Sequence, residues 1–131
     1  MIFLPDTNAC SHFMRGHPGI TVRWLAEAPR IRLPVIVVAE PEYGADKSGS
    51  RRQVERLAEL ARTLPGEPFT REDAAAFGRL RGDLERRGEI IGGFDLLIAA
   101  QGLRLGATVV THNLREFCRV TGLKVEDWQS A

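Results

Sequence analysis

Three acidic residues lie where apolar segments of the chain meet polar sequence. Asp6 ends the first apolar run, Glu40 follows the sequence Ile-Val-Val-Ala, and Asp95 opens a second long apolar stretch. A carboxylate beside a hydrophobic core is unfavourable unless it is protonated, paired with a cation or bound to a metal ion. Two such charges about 4 Å apart repel by about 4 kcal/mol at an effective dielectric constant of about 20. The three acids together therefore predict one shared divalent-cation site.

Carboxylate oxygens are the ligands that suit Mg²⁺ or Mn²⁺, and these ions activate water and stabilise charge on a phosphodiester. We predict that Asp6, Glu40 and Asp95 hold one or two such ions, directly or through water molecules, and that Asn113 positions a water molecule. Each residue also has a simpler interpretation. Asp6, Asp95 and Asn113 could cap helices, and Glu40 could lie on a solvated helix face.

The alternation of strands and helices predicts an α/β fold with a parallel sheet covered by helices on both faces. Strands are expected at Met1–Leu4, Ile31–Leu33, Glu67–Phe69, Ala107–Val110 and Leu123–Val125. Helices are expected from Thr7 to about Arg15, at Ile20–Ala28, Val35–Asp46, Val54–Leu64, Arg71–Arg87 and Phe94–Leu105, and in a turn ending at Phe117. Thr7, Asn8 and Thr70 are the expected N-caps. Sites in such sheets form beyond the carboxyl ends of strands, where Asp6 and Asn113 both lie.

The bulk composition fits one domain, residues 1–131, with a real core. With 18 Lys and Arg against 17 Asp and Glu, the net charge of +1 gives no overall basic field, so the phosphates of any nucleic-acid partner would have to meet a local basic patch. The two cysteines lack metal-binding spacing and favour a reducing compartment. Without a signal peptide or a membrane-length apolar run, the chain is expected to be cytoplasmic and not to bind membranes.

Six segments, in order along the chain, carry a resemblance to a known family. They are Leu4–Asn8, Ala39–Ala45, Leu80–Gly88, Gly93–Ala100, Val110–Phe117 and Val125–Trp128. In these segments the chain resembles VapC-type PIN-domain ribonucleases, the toxins of bacterial toxin–antitoxin pairs. The resemblance implies a twisted parallel sheet flanked by helices and a Mg²⁺- or Mn²⁺-dependent endoribonuclease acting on RNA. It also implies a homodimer that a cognate antitoxin protein inhibits.

The resemblance also implies roles for individual positions. The residues that match the family's core acids are Asp6, Glu40 and Asp95. Asn113 stands where many members have a fourth acid and many others have Asn. Thr111 would orient the site through a hydrogen bond, and Glu116 is a candidate outer acid.

Prolines depart from the family pattern. Pro34 replaces a common capping Ser, and Pro41 directly follows Glu40. A proline inside a helix costs about 3 kcal/mol and often kinks the axis, so Pro41 is expected to shift Glu40 and reduce activity. The alternative function is therefore an RNA- or partner-binding module with a weakened site. Phosphoryl transfer through an aspartyl intermediate is disfavoured, because the second acid it needs is replaced by Asn8.

Several apolar groups are expected to remain partly uncovered in a chain of this size. They are the stripe of the Val54–Leu64 helix and the side chains of Phe13, Met14 and Trp24. We predict that they contribute to a homodimer interface and, on the early helices, to antitoxin docking. The alternative is that all of them belong to one monomeric core.

Overall fold

The computed structural model describes residues 1–129, which form seven α-helices around five short strands. The strands are β1 (Phe3–Pro5), β2 (Leu33–Pro34), β3 (Gly66–Glu67), β4 (Thr108–Val110) and β5 (Lys124–Glu126). The helices are α1 (Thr7–Met14), α2 (Pro18–Glu27), α3 (Ala39–Ser48), α4 (Arg52–Ala61), α5 (Arg71–Arg86), α6 (Gly93–Leu105) and α7 (Leu114–Phe117). Single 3-10 turns lie at Ala28–Arg30 and Val35–Val38. The predicted α/β class is confirmed.

Every strand pair is parallel, as predicted. A three-stranded sheet has the order β1-β4-β5, and β2 and β3 form a two-stranded sheet. An isolated bridge joins β1 to the chain just before β2. The register places Pro5 opposite Val110. The carboxyl ends of β1 and β4 therefore lie side by side, which brings Asp6 next to Thr111.

Strand β1 continues to Pro5, one residue beyond the expected end. Alternate residues of a strand direct their N–H groups to opposite sides, and the Asp6 N–H donates to the Val110 carbonyl at 3.0 Å. The nitrogen of Pro5 therefore faces the β2 side, where the pairing has already ended. Its missing N–H costs no hydrogen bond between strands.

Two helix starts show how local sequence sets the elements. Asp6 is the N-cap of α1, where its Oδ1 accepts from the Ala9 N–H at 2.8 Å. The expectation that Thr7 or Asn8 caps this helix is wrong, because both residues are already helical. Thr70 caps α5 as predicted, through a reciprocal capping box with Asp73.

The helix predicted over residues 35–46 is divided into a 3-10 turn and α3. Pro41 is the third residue of α3. Backbone N–H groups in the first turn of a helix have no partner within that helix. The proline therefore sits at the start of α3 and does not interrupt it, and the prediction of a mid-helix proline is wrong.

The core encloses three of the apolar groups expected at an interface, while Phe13 and Met14 pack against it only partly buried. Leu57 and Leu60 of α4 are buried, at 2% and 7% exposure. Trp24 is 2% exposed and stacks on Phe13, with 4.2 Å between ring centroids. The monomeric-core alternative is therefore correct for Leu57, Leu60 and Trp24, and the prediction that these three side chains are partly uncovered is wrong. Within residues 1–129, no helix is both long enough and apolar enough to cross a bilayer.

Candidate active site

A cavity of about 210 Å³ lies beyond the carboxyl ends of β1 and β4. The residues that line it are Asp6, Thr7, Asn8, Glu40, Asp95 and Asn113. They come from the β1–α1 junction, the first turns of α3 and α6, and the turn that precedes α7. The structure therefore brings all four predicted site residues to one cavity.

Asp6 is at once a helix cap and a wall of the cavity. Its residue exposure is 4%, and burial raises its pKa above the ordinary value. Hydrogen bonds from the Thr111 side chain and the Ala9 N–H lower this pKa, whereas the nearby charge of Glu40 raises it. The capping interpretation is therefore correct but accounts for only part of the role of Asp6.

Asp95 lies in the first turn of α6 without capping it. The N-cap position belongs to Gly92, which makes no side-chain cap. Burial raises the pKa of Asp95 to about 6, and the charges of Asp6, Glu116 and Glu40 raise it too, against a hydrogen bond from Asn113 that lowers it. The half-buried carboxylate thus faces a cluster of like charges, an arrangement that a bound cation would stabilise.

Asn113 occupies the N-cap position of α7, but its side chain makes no capping hydrogen bond. Its Nδ2 donates to Asp95 Oδ2 at 3.2 Å and also to Glu116 Oε2. Its backbone N–H donates to the hydroxyl oxygen of Thr111 at 2.9 Å. One amide therefore links two carboxylates, and its backbone is tied to the same Thr111 that contacts Asp6.

Glu40 lies in the first turn of α3 and is exposed. The hydroxyl of Thr7 donates to its Oε1 at 3.3 Å. Glu40 thus lies on the solvated side of the helix and also reaches the cavity. Pro41, the next residue, leaves Glu40 on the cavity wall.

The donors around the cavity fit a hard divalent cation in type, since all the acids offer carboxylate oxygens. Within residues 1–129, however, no three His, Cys, Asp or Glu side chains are close enough to form a ready ligand group. The close approach assumed from the sequence is therefore not found. A divalent cation in this cavity would therefore need water molecules among its ligands, as Mg²⁺ usually has.

Two cavity residues were not predicted as site residues. Thr7 and Asn8 were assigned only to helix capping, yet both line the cavity, and Thr7 contacts Glu40. Their position in the sequence could have identified them as site residues, because residues that directly follow a strand lie at this edge of a parallel sheet.

The metal-free protein should lose stability as the pH rises from about 4 to about 7. The folded-state pKa of Asp95, about 6, exceeds its ordinary value of 3.8, so its stabilising contribution is complete below pH 3.8 and is lost as the pH rises through 6. Allowing for solvent screening at this half-exposed group, we expect a loss of about 1 kcal/mol in urea unfolding with EDTA. Asp95→Asn should reduce this dependence and leave the part that comes from the raised pKa of Asp6, whereas Asp46→Asn, at an exposed acid of α3, should retain all of it. An unchanged slope in Asp95→Asn would contradict the assignment.

Comparison with known proteins shows the family to which the chain belongs. A family model described as PIN domain matches residues 3–123. Ribonuclease VapC2 of Rickettsia felis is 36% identical over 132 residues, covering 98% of each chain. The tRNA(fMet)-specific endonuclease VapC of Salmonella typhimurium is 33% identical, covering 96% of this chain and 97% of the relative. The crystal structure of VapBC2 from Rickettsia felis bound to a promoter DNA fragment matches with a TM-score of 0.85 at 34% identity, covering 98% of this chain and 99% of that one.

The match to the PIN-domain model runs from the start of β1 to the residue before β5, a range that contains all four candidate site residues. The relatives that match over nearly the full length of the chain identify the family within this class of PIN-domain proteins. The chain belongs to the VapC family of PIN-domain ribonucleases, the toxins of VapBC toxin–antitoxin systems. The family predicted from the six sequence segments is confirmed.

Proposed function

We propose that the protein is a Mg²⁺- or Mn²⁺-dependent endoribonuclease whose metal is held by Asp6, Glu40 and Asp95, either directly or through water molecules. The observation that carries this proposal is the meeting of three carboxylates and one amide, from four chain segments, at a single cavity. A divalent cation bound there would supply a more acidic water molecule and charge stabilisation at the phosphodiester. Hydrolysis adds water to phosphorus and breaks one bond to a ribose oxygen.

The chain's own residues would orient the reaction. Thr111 and the Ala9 N–H hold the Asp6 carboxylate. The amide of Asn113 holds Asp95 at the cavity wall and also contacts Glu116, so that it can set the position of a reacting water. Above its pKa of about 6, Asp95 is ionised and able to accept a cation.

Cleavage of RNA by the purified protein tests this proposal. Initiator tRNA is the first RNA to assay, because the Salmonella typhimurium relative is named a tRNA(fMet)-specific endonuclease. We expect cleavage with Mg²⁺ or Mn²⁺ and none with EDTA. Binding without cleavage of any RNA by folded protein, with both metals present, would instead favour a binding module with a weakened site. That alternative was suggested by Pro41, which was expected to interrupt a helix. Pro41 instead lies in the first turn of α3, where a proline does not interrupt the helix.

We further propose a cytoplasmic homodimer that binds a cognate antitoxin. The structure described for Rickettsia felis is a VapBC2 complex, which supports an antitoxin partner. On this chain, α2 carries two exposed aliphatic side chains, Val22 at 69% and Leu25 at 65% exposure. These two side chains, and not the buried Trp24, are therefore the apolar groups of α2 that a partner can contact.

The partner surface predicts a specific loss of affinity. Replacing both Val22 and Leu25 by Ser should weaken antitoxin binding about 10-fold or more, since buried apolar anchors dominate interface energetics. Isothermal titration with a cognate antitoxin measures the change, and Arg62→Ala, at the C-cap of α4, is the control. Unchanged affinity would show that this face of α2 is not part of the antitoxin-binding surface. Sedimentation showing a monomer at every concentration would exclude the homodimer.

A further inference from the structure

The segment 87–92 connects α5 to α6 and leads directly into the turn that carries Asp95. Its last residue, Gly92, is the N-cap of α6 and has no side chain with which to cap it. Ile91 is anchored in the core at 5% exposure, whereas Ile90 is 67% exposed. The location of Asp95 therefore depends on the contacts that hold this segment.

Two arginine side chains hold the segment. Arg119 follows α7, and its Nη1 donates to the carbonyl of Ile90 at 2.6 Å. Arg87, at the C-cap of α5, donates from Nη2 to the carbonyl of Arg119 at 2.9 Å. Arg87 is itself paired with Asp83 at 2.9 Å and with Glu89 at 3.4 Å. Charge-assisted bonds, stronger than neutral ones, thus connect the end of α5, the segment 87–92 and the turn after α7.

Helix α7 also reaches Asp95 from its other end. Asn113, just before α7, donates to Asp95 at 3.2 Å and also to Glu116. The backbone N–H of Arg119 donates to the carbonyl of Glu116 at 3.0 Å. One end of α7 therefore holds the Asp95 side chain, while the other end holds the backbone that leads to it.

We propose that Arg119 is a positioning residue of the nuclease site. By holding the carbonyl of Ile90, it fixes the first turn of α6 against α7 and keeps Asp95 in contact with Asn113. This inference rests on the proposed function, in which Asp95 holds the metal. Arg119 does not line the cavity, so it acts through Asp95. Its effect can nevertheless be large, since a 1 Å misplacement at a reacting centre costs on the order of 10²-fold in rate.

Three variants test the proposal against the wild-type protein. Arg119→Ala should lower kcat for RNA cleavage and weaken calorimetric Mn²⁺ binding, each by about 10-fold, the size typical of lost outer-shell support. KM should stay nearly constant, because a residue that acts through Asp95 does not itself bind the RNA. Arg119→Lys should restore most of the loss, since one N–H donor can serve the Ile90 carbonyl. Arg62→Ala removes one positive charge from the exposed end of α4 and should match the wild type.

Amide hydrogen exchange gives a readout that does not depend on catalysis. Exchange across residues 88–96 should be faster in Arg119→Ala and unchanged in Arg62→Ala. The proposal would be overturned if Arg119→Ala had the kcat, the Mn²⁺ affinity and the exchange rates of the wild type. It would also be overturned by a change in KM alone, or by a loss of folding that Arg119→Lys does not restore. Wild-type protein that cleaves no RNA with either metal would overturn the proposed function instead. In that case the exchange comparison would still decide whether Arg119 holds this segment.

Discussion

Asp6→Asn and Asp95→Asn should each lower RNA cleavage by about 10³-fold and leave the protein folded. Loss of a metal ligand removes several kcal/mol of charge stabilisation, and about 1.4 kcal/mol corresponds to a tenfold change in rate. Asn keeps the shape of Asp and is also a good N-cap, so the start of α1 should survive in Asp6→Asn. Initial rates on initiator tRNA with Mn²⁺, beside circular dichroism spectra, measure both parts of the prediction.

The stability of these variants separates a metal ligand from a structural acid. At pH 7 and without metal, Asp95→Asn should be at least as stable as the wild type, because it removes a half-buried charge that faces the charge of Asp6. The same variant should bind Mn²⁺ more weakly. Asp46→Asn, at an exposed acid of α3, should leave rate and affinity unchanged. Full cleavage activity in either cavity variant would show that the acid is not a metal ligand of the reaction.

Arg104→Met should destabilise the fold by about 2–3 kcal/mol at pH 7, below the 3–5 kcal/mol typical of fully buried pairs. Asp73, in the first turn of α5, is 0% exposed and is bound by Arg104 from the last turn of α6. The Arg104 side chain remains 27% exposed, which explains the smaller expected loss. Chemical denaturation of the variant measures it.

The pH dependence and a double variant test the cause of this loss. Burial acts to raise the pKa of Asp73, but hydrogen bonds from Arg104 and the Thr70 N–H outweigh it and hold the pKa below 3.8. The pair therefore stabilises the fold above pH 3.8, and this contribution is lost as the pH falls through the folded-state pKa. Adding Asp73→Asn to Arg104→Met should recover part of the stability at pH 7, because an amide needs no counterion. A double variant as unstable as the sum of the two single variants would contradict this account.

The sequence by itself determined the elements and the chemistry of the cavity. The periodic apolar stripes and the Thr70 cap placed α5 to within one residue of its observed end. Asp6, Glu40 and Asp95 could be chosen as candidate site residues because a carboxylate at the border of an apolar segment is costly unless something compensates its charge. Parallel topology then predicted that Asp6 and Asn113 lie at the same edge of the sheet. These inferences depend on local sequence and on general rules of connection, and both are contained in the chain itself.

The tertiary structure alone decided which groups face one another. The pair Asp73–Arg104 spans 31 residues and has no local signal, because each residue taken alone looks like an ordinary solvated charge. Trp24 lies on a short helix whose pattern does not reveal that Phe13 stacks on it. The bond from Asn113 to Asp95 likewise exists only because the turn after β4 meets the first turn of α6. Sequence spacing sets which side chains share a face of an element, but pairings between elements depend on packing angles and on chain turns that no local pattern encodes.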